Sequence, residues 1–378
     1  MVLSKRPLVK NAKSAKTSMQ QRALVLFDSA IKSPKTRDSY IGYLNEFRDF
    51  FIIKSYDSII EIEPKKLQEM LENFMMYQKN RGLSLSYINS KVAALKLFFA
   101  MNDVVTLNWI KLSKMKPEKK KLTGDMPYKT EDIQKIFGVV GKNLKFRCIT
   151  HILAATGIRI GAFSEIQLKH IQDMPNGCKS ILVYDDDKAE YITFIHQEAV
   201  EALDEYLDEY LDDRTRLGEI ITPESWLTPS TSDSNKPALT VSMRTQMARY
   251  AHHNDVKPKK RGRYAIQACH GFRKRFDTIL KSNPNVNINL AEKLMGHSTT
   301  IPLDNVYFKP AIEQLFDEYQ KVIPDLIIDD KFRLLKQIEK KDEKINELNQ
   351  KDNEIDVLKH TILEIQNNLL EMRNMIKI

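Results

Sequence analysis

The chain has 378 residues, 42% of them apolar and 29% charged, which is enough to bury hydrophobic cores and argues against wholesale disorder. At about 150 residues per domain, this length predicts two or three domains. The 59 Lys and Arg residues against 50 Asp and Glu residues give a formal net charge of +9, so we expect polyanionic partners.

Cysteine usage and hydropathy narrow the class of protein further. The three cysteines lie far apart and form no C-x-x-C pair, so the sequence supports neither a disulfide framework nor a cysteine-ligated zinc site. No stretch approaches 18 consecutive apolar residues, and the basic start lacks the apolar run of a signal peptide. We therefore expect an intracellular protein in a reducing compartment. The Lys- and Ile-rich, glycine-poor composition fits an AT-rich prokaryotic genome and hence a cytoplasmic location.

Residues 1–22 form a basic N-terminal segment with no acidic residue and almost no apolar periodicity. Two interpretations fit this composition, a disordered solubilising terminus and an arm that contacts DNA.

Residues 23–110 have a helical pattern. Pro34 and Pro64 mark two helix starts, and apolar side chains follow each of them at helical spacing. A third stripe follows Ser86. Glycine is nearly absent, so we predict a bundle of about four short helices whose aromatic residues form its core.

Residues 111–127 have the composition of an interdomain linker. The part 111–121 has six lysines and one acid around Pro117, and Gly124 and Pro127 follow it. Such a charge run is either solvated surface or a basic strap that contacts a DNA duplex. The candidate contacts are Lys111, Lys114, Lys116, Lys119, Lys120 and Lys121.

Residues 128–324 have a mixed pattern of helices and short strands. The sequence predicts helices near 130–140, 143–156, 160–168, 197–212, 241–254, 270–281 and 288–295. The β-rich runs 180–184 and 191–195 predict a hairpin. A loop at 257–263 carries a second basic cluster, which is either solvated or in contact with nucleic acid. Its cations are Lys257, Lys259, Lys260, Arg261 and Arg263.

Residues 329–378 contain two heptad seams. The first includes Leu334, Ile338 and Ile345, and the second runs from Leu358 to Ile376, offset by three residues in the manner of a stammer. Lys341 and Asp352 interrupt the first seam and should weaken it. The segment is either one long helix packed on its own body or, as we favour, a self-associating coiled coil.

Four motifs between residues 156 and 307 carry the candidate chemistry. They are Thr156-Gly157-Ile158-Arg159, the hairpin lysine Lys188, His270-Gly271-Phe272-Arg273, and Leu294-Met295-Gly296-His297 followed ten positions later by Tyr307. Each motif is weak alone, because a His-x-x-Arg pair is usually a surface pair and a lone tyrosine is usually core. Their order along the chain makes the set specific.

In this order the sequence resembles the tyrosine recombinase, or phage-type integrase, family. The blocks ATGIRIGAFSEI, HGFRKRF and LMGHS match the family pattern, and the resemblance extends over nearly the whole chain to about residue 320. It implies a mainly α fold with a small β-hairpin or sheet (α+β). A helical, SAM-like core-binding domain would precede a catalytic domain over 128–324.

The resemblance also implies the roles of the site residues. Arg159 and Arg273 would bind the two non-bridging oxygens of a phosphodiester, with hydrogen bonds added by His270 and His297. Tyr307 would be the nucleophile that forms a covalent 3′-phosphotyrosine, and Lys188 the general acid that protonates the leaving 5′-oxygen. Neither metal nor ATP is then needed. Double-stranded DNA is the implied partner, with four protomers assembled on two duplexes.

Two departures from the family pattern stand beside the resemblance. Ala162 occupies the position where family members usually carry an acid, three residues after the first arginine, and the gap from His297 to Tyr307 is longer than usual and contains Pro302. Tyr319 is an alternative nucleophile. Two further functions remain open, a type IB topoisomerase and a catalytically inactive, architectural DNA-binding protein. A catalytic metal is disfavoured, because no H-E-x-x-H, D-x-D or carboxylate cluster accompanies the histidines.

Overall fold

The computed structural model describes residues 22–104, 106–118, 126–253, 259–260, 263–297 and 308–375. The chain divides into two compact units, Met1–Leu122 and Thr123–Ile378. The boundary between them falls inside the segment 111–127, which the sequence predicts as a linker. The basic arm preceding Arg22 lies outside the described residues.

The first unit is helical throughout its described part. Pro34 stands in the first turn of its second helix, and the Glu63 and Ser84 side chains accept hydrogen bonds from backbone N–H groups of the helices that follow them. These local signals explain why the helices begin where they do. The helices are α1 (Arg22–Ser29), α2 (Pro34–Phe50), α3 (Asp57–Ile60), α4 (Pro64–Asn80), α5 (Leu85–Met101) and α6 (Trp109–Lys114).

The core of the first unit is aromatic, as the periodicity predicts. Phe47 packs edge-on against Phe74 with ring centroids 5.3 Å apart, and Phe98 and Phe99 are fully buried beside them. Helix α6 occupies the start of the predicted linker, where Leu112 is buried in the same core. The first residues of that segment are therefore part of the folded unit.

The second unit places one small antiparallel sheet among helices. Its strands are β1 (Ile171–Met174), β2 (Cys178–Val183) and β3 (Tyr191–Ile195), in the order β1-β2-β3, and a two-residue ladder pairs β4 (Lys259–Lys260) with β5 (Arg263–Tyr264). The helices are α7 (Thr130–Val140), α8 (Leu144–Thr156), α9 (Gln197–Arg216), α10 (Thr240–His252), α11 (His270–Ser282), α12 (Ile288–Leu294), α13 (Ile312–Gln320), α14 (Ile323–Leu326) and α15 (Asp330–Met375).

Helix α8 is the centre of the second unit. Every residue from Cys148 to Thr156 is buried, and the helix packs against α9, α11 and β3. The helix ends at Gly157, which adopts the left-handed conformation (φ 60°, ψ 18°). The buried helix therefore delivers the chain to Arg159 from a rigid base.

The mainly α fold with a small sheet is confirmed, and three local predictions need correction. The helix predicted over 160–168 is a short 3-10 helix, Ile160–Ser164, and a second short one follows at Leu168–His170. Strand β1 was not predicted. Part of the 257–263 segment, predicted as a loop, pairs as β4 and β5.

Helix α15 follows the body of the second unit. Its seam residues from Leu334 to Met372 are about half exposed, so among the described residues they have no continuous packing partner. No helix in the described part of the chain is both long and apolar enough to cross a membrane.

Candidate active site

Arg273 is the buried centre of the candidate site. It lies one turn into α11 with only 4% of its surface exposed, and its guanidinium donates hydrogen bonds to the carbonyl oxygens of Gly157, at 2.9 Å, and Met295. It thereby connects the segment that carries Arg159 to the segment that carries His297. Burial lowers the pKa of Arg273, and the neighbouring Arg159 lowers it further.

Arg273 forms no ion pair with a carboxylate within the described ranges. A buried cation without an anionic partner is costly, so the site is electrostatically suited to take up an anion. A phosphodiester oxygen has the required charge, and a guanidinium can bind it through two parallel hydrogen bonds.

Arg159 lies two residues after Gly157, the left-handed residue that ends α8. The residue three positions after Arg159 is Ala162, which is buried in the core and has no carboxylate to offer. The guanidinium instead lies beside the phenol of Tyr184. Burial raises the pKa of Tyr184, and Arg159 opposes that rise. Arg159 thus lies beside a phenol rather than a carboxylate.

A cavity of about 350 Å³ brings the first part of the predicted site together. Arg159, His270 and Arg273 all line it, together with Arg244 from α10, which the sequence analysis did not select. No carboxylate is among the lining residues. Three arginines and no acid in the lining suit the cavity to an anion. The remaining lining residues are Ile158, Ile160, Gln267, Ala268 and Cys269.

Close packing at two glycines holds the site segments in place. A Cβ at Gly271 would lie 2.4 Å from Ile266, and a Cβ at Gly296 would lie 2.3 Å from the ring of Tyr191. Gly296 also has a φ of +57°, which ends α12 and turns the chain toward His297. The glycines of both family-like motifs are therefore needed for steric reasons.

His297 is held by Glu292. The Nδ1 atom of His297 lies 2.7 Å from Glu292 Oε2, and the backbone N–H of His297 donates to the Glu292 carbonyl at 3.0 Å. His297 does not line the cavity. Its connection to the arginines runs through Met295, whose carbonyl oxygen accepts from Arg273.

The other predicted catalytic residues lie outside the cavity or outside the described residues. Lys188 is exposed in the turn between β2 and β3 and does not line the cavity. Tyr307 lies outside the described residues, and the chain resumes at Phe308, which packs on the core around α11 and α12. Tyr319, the alternative nucleophile, is fully buried, and its hydroxyl donates to the Ala155 carbonyl at 3.2 Å. Burial also raises the pKa of Tyr319 well above its ordinary value. A hydroxyl enclosed in the core in this way is poorly placed to attack a DNA phosphate, which argues against that alternative.

The predicted DNA-contacting cations are only partly described. Lys111 forms an ion pair with Glu72 at 2.6 Å, Lys114 is exposed and Lys116 is half-buried. Lys259, Lys260 and Arg263 contribute backbone to the β4–β5 ladder. The residues Lys119, Lys120, Lys121, Lys257 and Arg261 lie outside the described ranges.

Comparisons with known proteins agree with the motifs. Residues 129–313 match the model of the phage integrase family. The fold resembles that of the Tn1549 transposon integrase in complex with transposon right end DNA, at 16% identity over 79% of this chain and 98% of that chain, with a TM-score of 0.50. A search of the curated proteins finds no match.

Two further solved structures are partly similar to this chain. The XerA recombinase is 18% identical over 79% of this chain and 97% of its own, with a TM-score of 0.36. The lambda integrase dimer bound to a COC′ core site is 13% identical over 75% and 92%, with a TM-score of 0.49. The match over residues 129–313 confirms the resemblance to the phage integrase family of tyrosine recombinases first seen in the motifs.

Proposed function

We propose that this chain is a site-specific DNA recombinase that cleaves and rejoins strands for the integration or excision of a mobile element. The observation that carries the proposal is the buried Arg273, which has no carboxylate partner among the described residues and lies beside Arg159 and His270 in an acid-free cavity. The match of residues 129–313 to the phage integrase family model supports this chemistry for the cavity.

In the proposed reaction the two arginines bind the non-bridging oxygens of the scissile phosphate and neutralise the charge that grows on them in the pentavalent transition state. Tyr307 attacks phosphorus through its phenolic oxygen. The bond from phosphorus to the 5′-oxygen breaks, leaving a 3′-phosphotyrosine. His270 assists removal of the tyrosine proton, and Lys188 protonates the departing 5′-oxygen. The bond energy is retained in the covalent link, so a second strand can replace the enzyme.

The exposed position of Lys188 fits a general acid that reaches the leaving group only when DNA is bound. The turn that carries it includes the positive φ angles of Tyr184 and Asp186 and is anchored at its base, where Asp185 lies 3.1 Å from the ring nitrogen of His170. A rigid base and an exposed tip suit a hairpin that must approach a duplex.

Covalent trapping on nicked duplexes tests the proposal. Wild type should give a shifted band on a denaturing gel, Tyr307→Phe should give none while still binding DNA, and Tyr319→Phe should still give the band if it folds. A covalent complex that persists in Tyr307→Phe contradicts the assigned nucleophile. If wild type and both variants bind the genuine site tightly and none of them cleaves it, the chain is an architectural DNA-binding protein. Relaxation of supercoils by a monomer on arbitrary DNA identifies a type IB topoisomerase.

Helix α15 is proposed to pair with a second copy of the chain and so to help assemble four protomers on two duplexes. Its two heptad seams are exposed along the described helix, as expected of a coiled-coil strand lacking its partner. Truncation after residue 328 should lower the solution mass and impair pairing of two DNA duplexes. Unchanged mass and pairing contradict this assignment.

A further inference from the structure

Three charged side chains, Asp277, Lys281 and Glu292, form a connected row on α11 and α12 that leads to His297. Lys281 Nζ lies 2.8 Å from Asp277 Oδ1 and 2.6 Å from Glu292 Oε1, and Glu292 Oε2 lies 2.7 Å from His297 Nδ1. The backbone carbonyl of Glu292 also accepts from the His297 N–H. Glu292 therefore holds both the backbone and the imidazole of His297.

The charge state of Glu292 decides which imidazole nitrogen is free. Burial acts to raise the pKa of Glu292, but hydrogen bonds from Lys281 and His297 outweigh it, and the pKa is lowered overall. An ionised carboxylate can only accept hydrogen bonds, so Nδ1 of His297 must be the donor. Nε2 is then the nitrogen left to meet a substrate, as in other sites where a carboxylate orients a histidine.

The same residues could be considered as a cation site, since ligand atoms of Asp277, Glu292 and His297 lie within 4.8 Å of one another. The ammonium group of Lys281 already contacts both carboxylates. It balances one of the two negative charges, and the other carboxylate oxygen of Glu292 already contacts the imidazole of His297. The carboxylates therefore have partners in place, and an orienting role fits the cluster.

We propose that Glu292 is a positioning residue for His297, itself fixed by Lys281 and Asp277. With Nδ1–H donating to Glu292, Nε2 faces the bound phosphate, takes up a proton there, and donates it in a hydrogen bond to a non-bridging oxygen. This inference rests on the proposed function, because the phosphate is the substrate named there. It assigns a role to three charged residues that the family-like motifs do not include.

Substitutions of Glu292 distinguish a role in orienting His297 from a role in the stability of the fold. Glu292→Leu removes the acceptor at similar volume, whereas Glu292→Gln keeps an amide oxygen that can still accept from Nδ1. In single-turnover cleavage of a nicked suicide duplex, Glu292→Leu should react about 10- to 100-fold more slowly than wild type, with the DNA dissociation constant nearly unchanged. Glu292→Gln should recover most of the rate. Glu313→Leu, a substitution of an exposed acid on α13, serves as the control and should react like wild type.

The effect should depend on His297. In a His297→Asn background, Glu292→Leu should cause no further loss of rate. An equal loss in both backgrounds, or a loss of DNA affinity that matches the loss of rate, overturns the inference, because it shows a general structural effect. Cleavage by wild type that is abolished by EDTA and restored by Mn²⁺ also overturns it, in favour of a metal site.

Nitrogen NMR of the imidazole provides a readout that needs no cleavage. In ¹⁵N-histidine-labelled protein, with His297 assigned through His297→Asn, Nδ1 should carry the proton in wild type and lose that preference in Glu292→Leu. An unprotonated Nδ1 in wild type overturns the inference. Protonated Nδ1 with no covalent product from wild type contradicts the proposed function alone.

Discussion

Replacement of Gly157 by alanine tests whether the end of α8 must press directly on α11. Gly157 has a φ of +60°, and a Cβ there would lie 2.9 Å from Phe276 Cβ and 3.1 Å from Arg273 Cα. Those atoms are fixed to the helix backbone and cannot rotate away. Helix α11 would have to move, and with it the guanidinium that donates to the Gly157 carbonyl.

The expected cost has three parts. An alanine in the left-handed region costs about 1–2 kcal/mol, and overpacking against α11 costs about 1–3 kcal/mol more. The restricted unfolded chain returns about 0.4–1 kcal/mol. The free energy of unfolding of the second unit should therefore fall by about 1–5 kcal/mol. Gly218→Ala is the matched control, because Gly218 has a φ of +75° and open space around it.

Denaturant unfolding followed by Trp226 fluorescence measures the difference within the second unit. A Trp109→Phe background removes the other tryptophan, which belongs to the first unit. Gly157→Ala should be less stable than Gly218→Ala by about 1–3 kcal/mol, the overpacking contribution, and should also cleave DNA more slowly. A stability equal to that of Gly218→Ala would refute the packing argument, since the two variants share only the backbone penalty.

Three further predictions concern separate parts of the chain. Burial acts to raise the pKa of Glu46, but its hydrogen-bonded partners lower it overall, so its stabilisation of the first unit is present above about pH 4.5 and lost as the pH falls through the lowered pKa. Glu46→Gln should make urea stability less dependent on acid pH, and an unchanged dependence contradicts this. Gly296→Ala should slow cleavage by driving a methyl group into Tyr191, and adding Tyr191→Leu should recover part of the rate; no recovery would point to the backbone alone. Lys341→Leu combined with Asp352→Leu should strengthen self-association in sedimentation experiments, and weaker association argues against the seam.

Elements with strong local signals were predictable. Helices α2 and α4 begin at Pro34 and Pro64, and the hairpin of β2 and β3 follows from two β-branched runs around three aspartates. Strand β1 was missed because it has only four residues and an exposed, polar middle. Its pairing with β2 depends on a turn in which Asn176 and Gly177 both adopt positive φ, a signal too short to outweigh the surrounding pattern.

The site was predictable in its residue types and only partly in its geometry. The motif order identified Arg159, His270 and Arg273, which line one cavity. It could not identify Arg244 or Glu292, because their positions depend on how helices distant in sequence pack together. Tyr319 was a candidate nucleophile because the sequence alone does not show whether its hydroxyl is exposed. An apolar helical pattern indicates that one face of the helix is buried, and the structure shows that Tyr319 lies within that face.

The length of α15 sets a distance scale for the proposed pairing of protomers. At 1.5 Å per residue its 46 residues extend over roughly 69 Å, about two helical turns of a DNA duplex. In the proposed pairing, a stiff spacer of this size would join two DNA-bound proteins without requiring their catalytic units to touch. Formation of one pair of helices would then make capture of the second duplex an intramolecular event with a high effective concentration. Synapsis should then depend far less on protein concentration than the first encounter does.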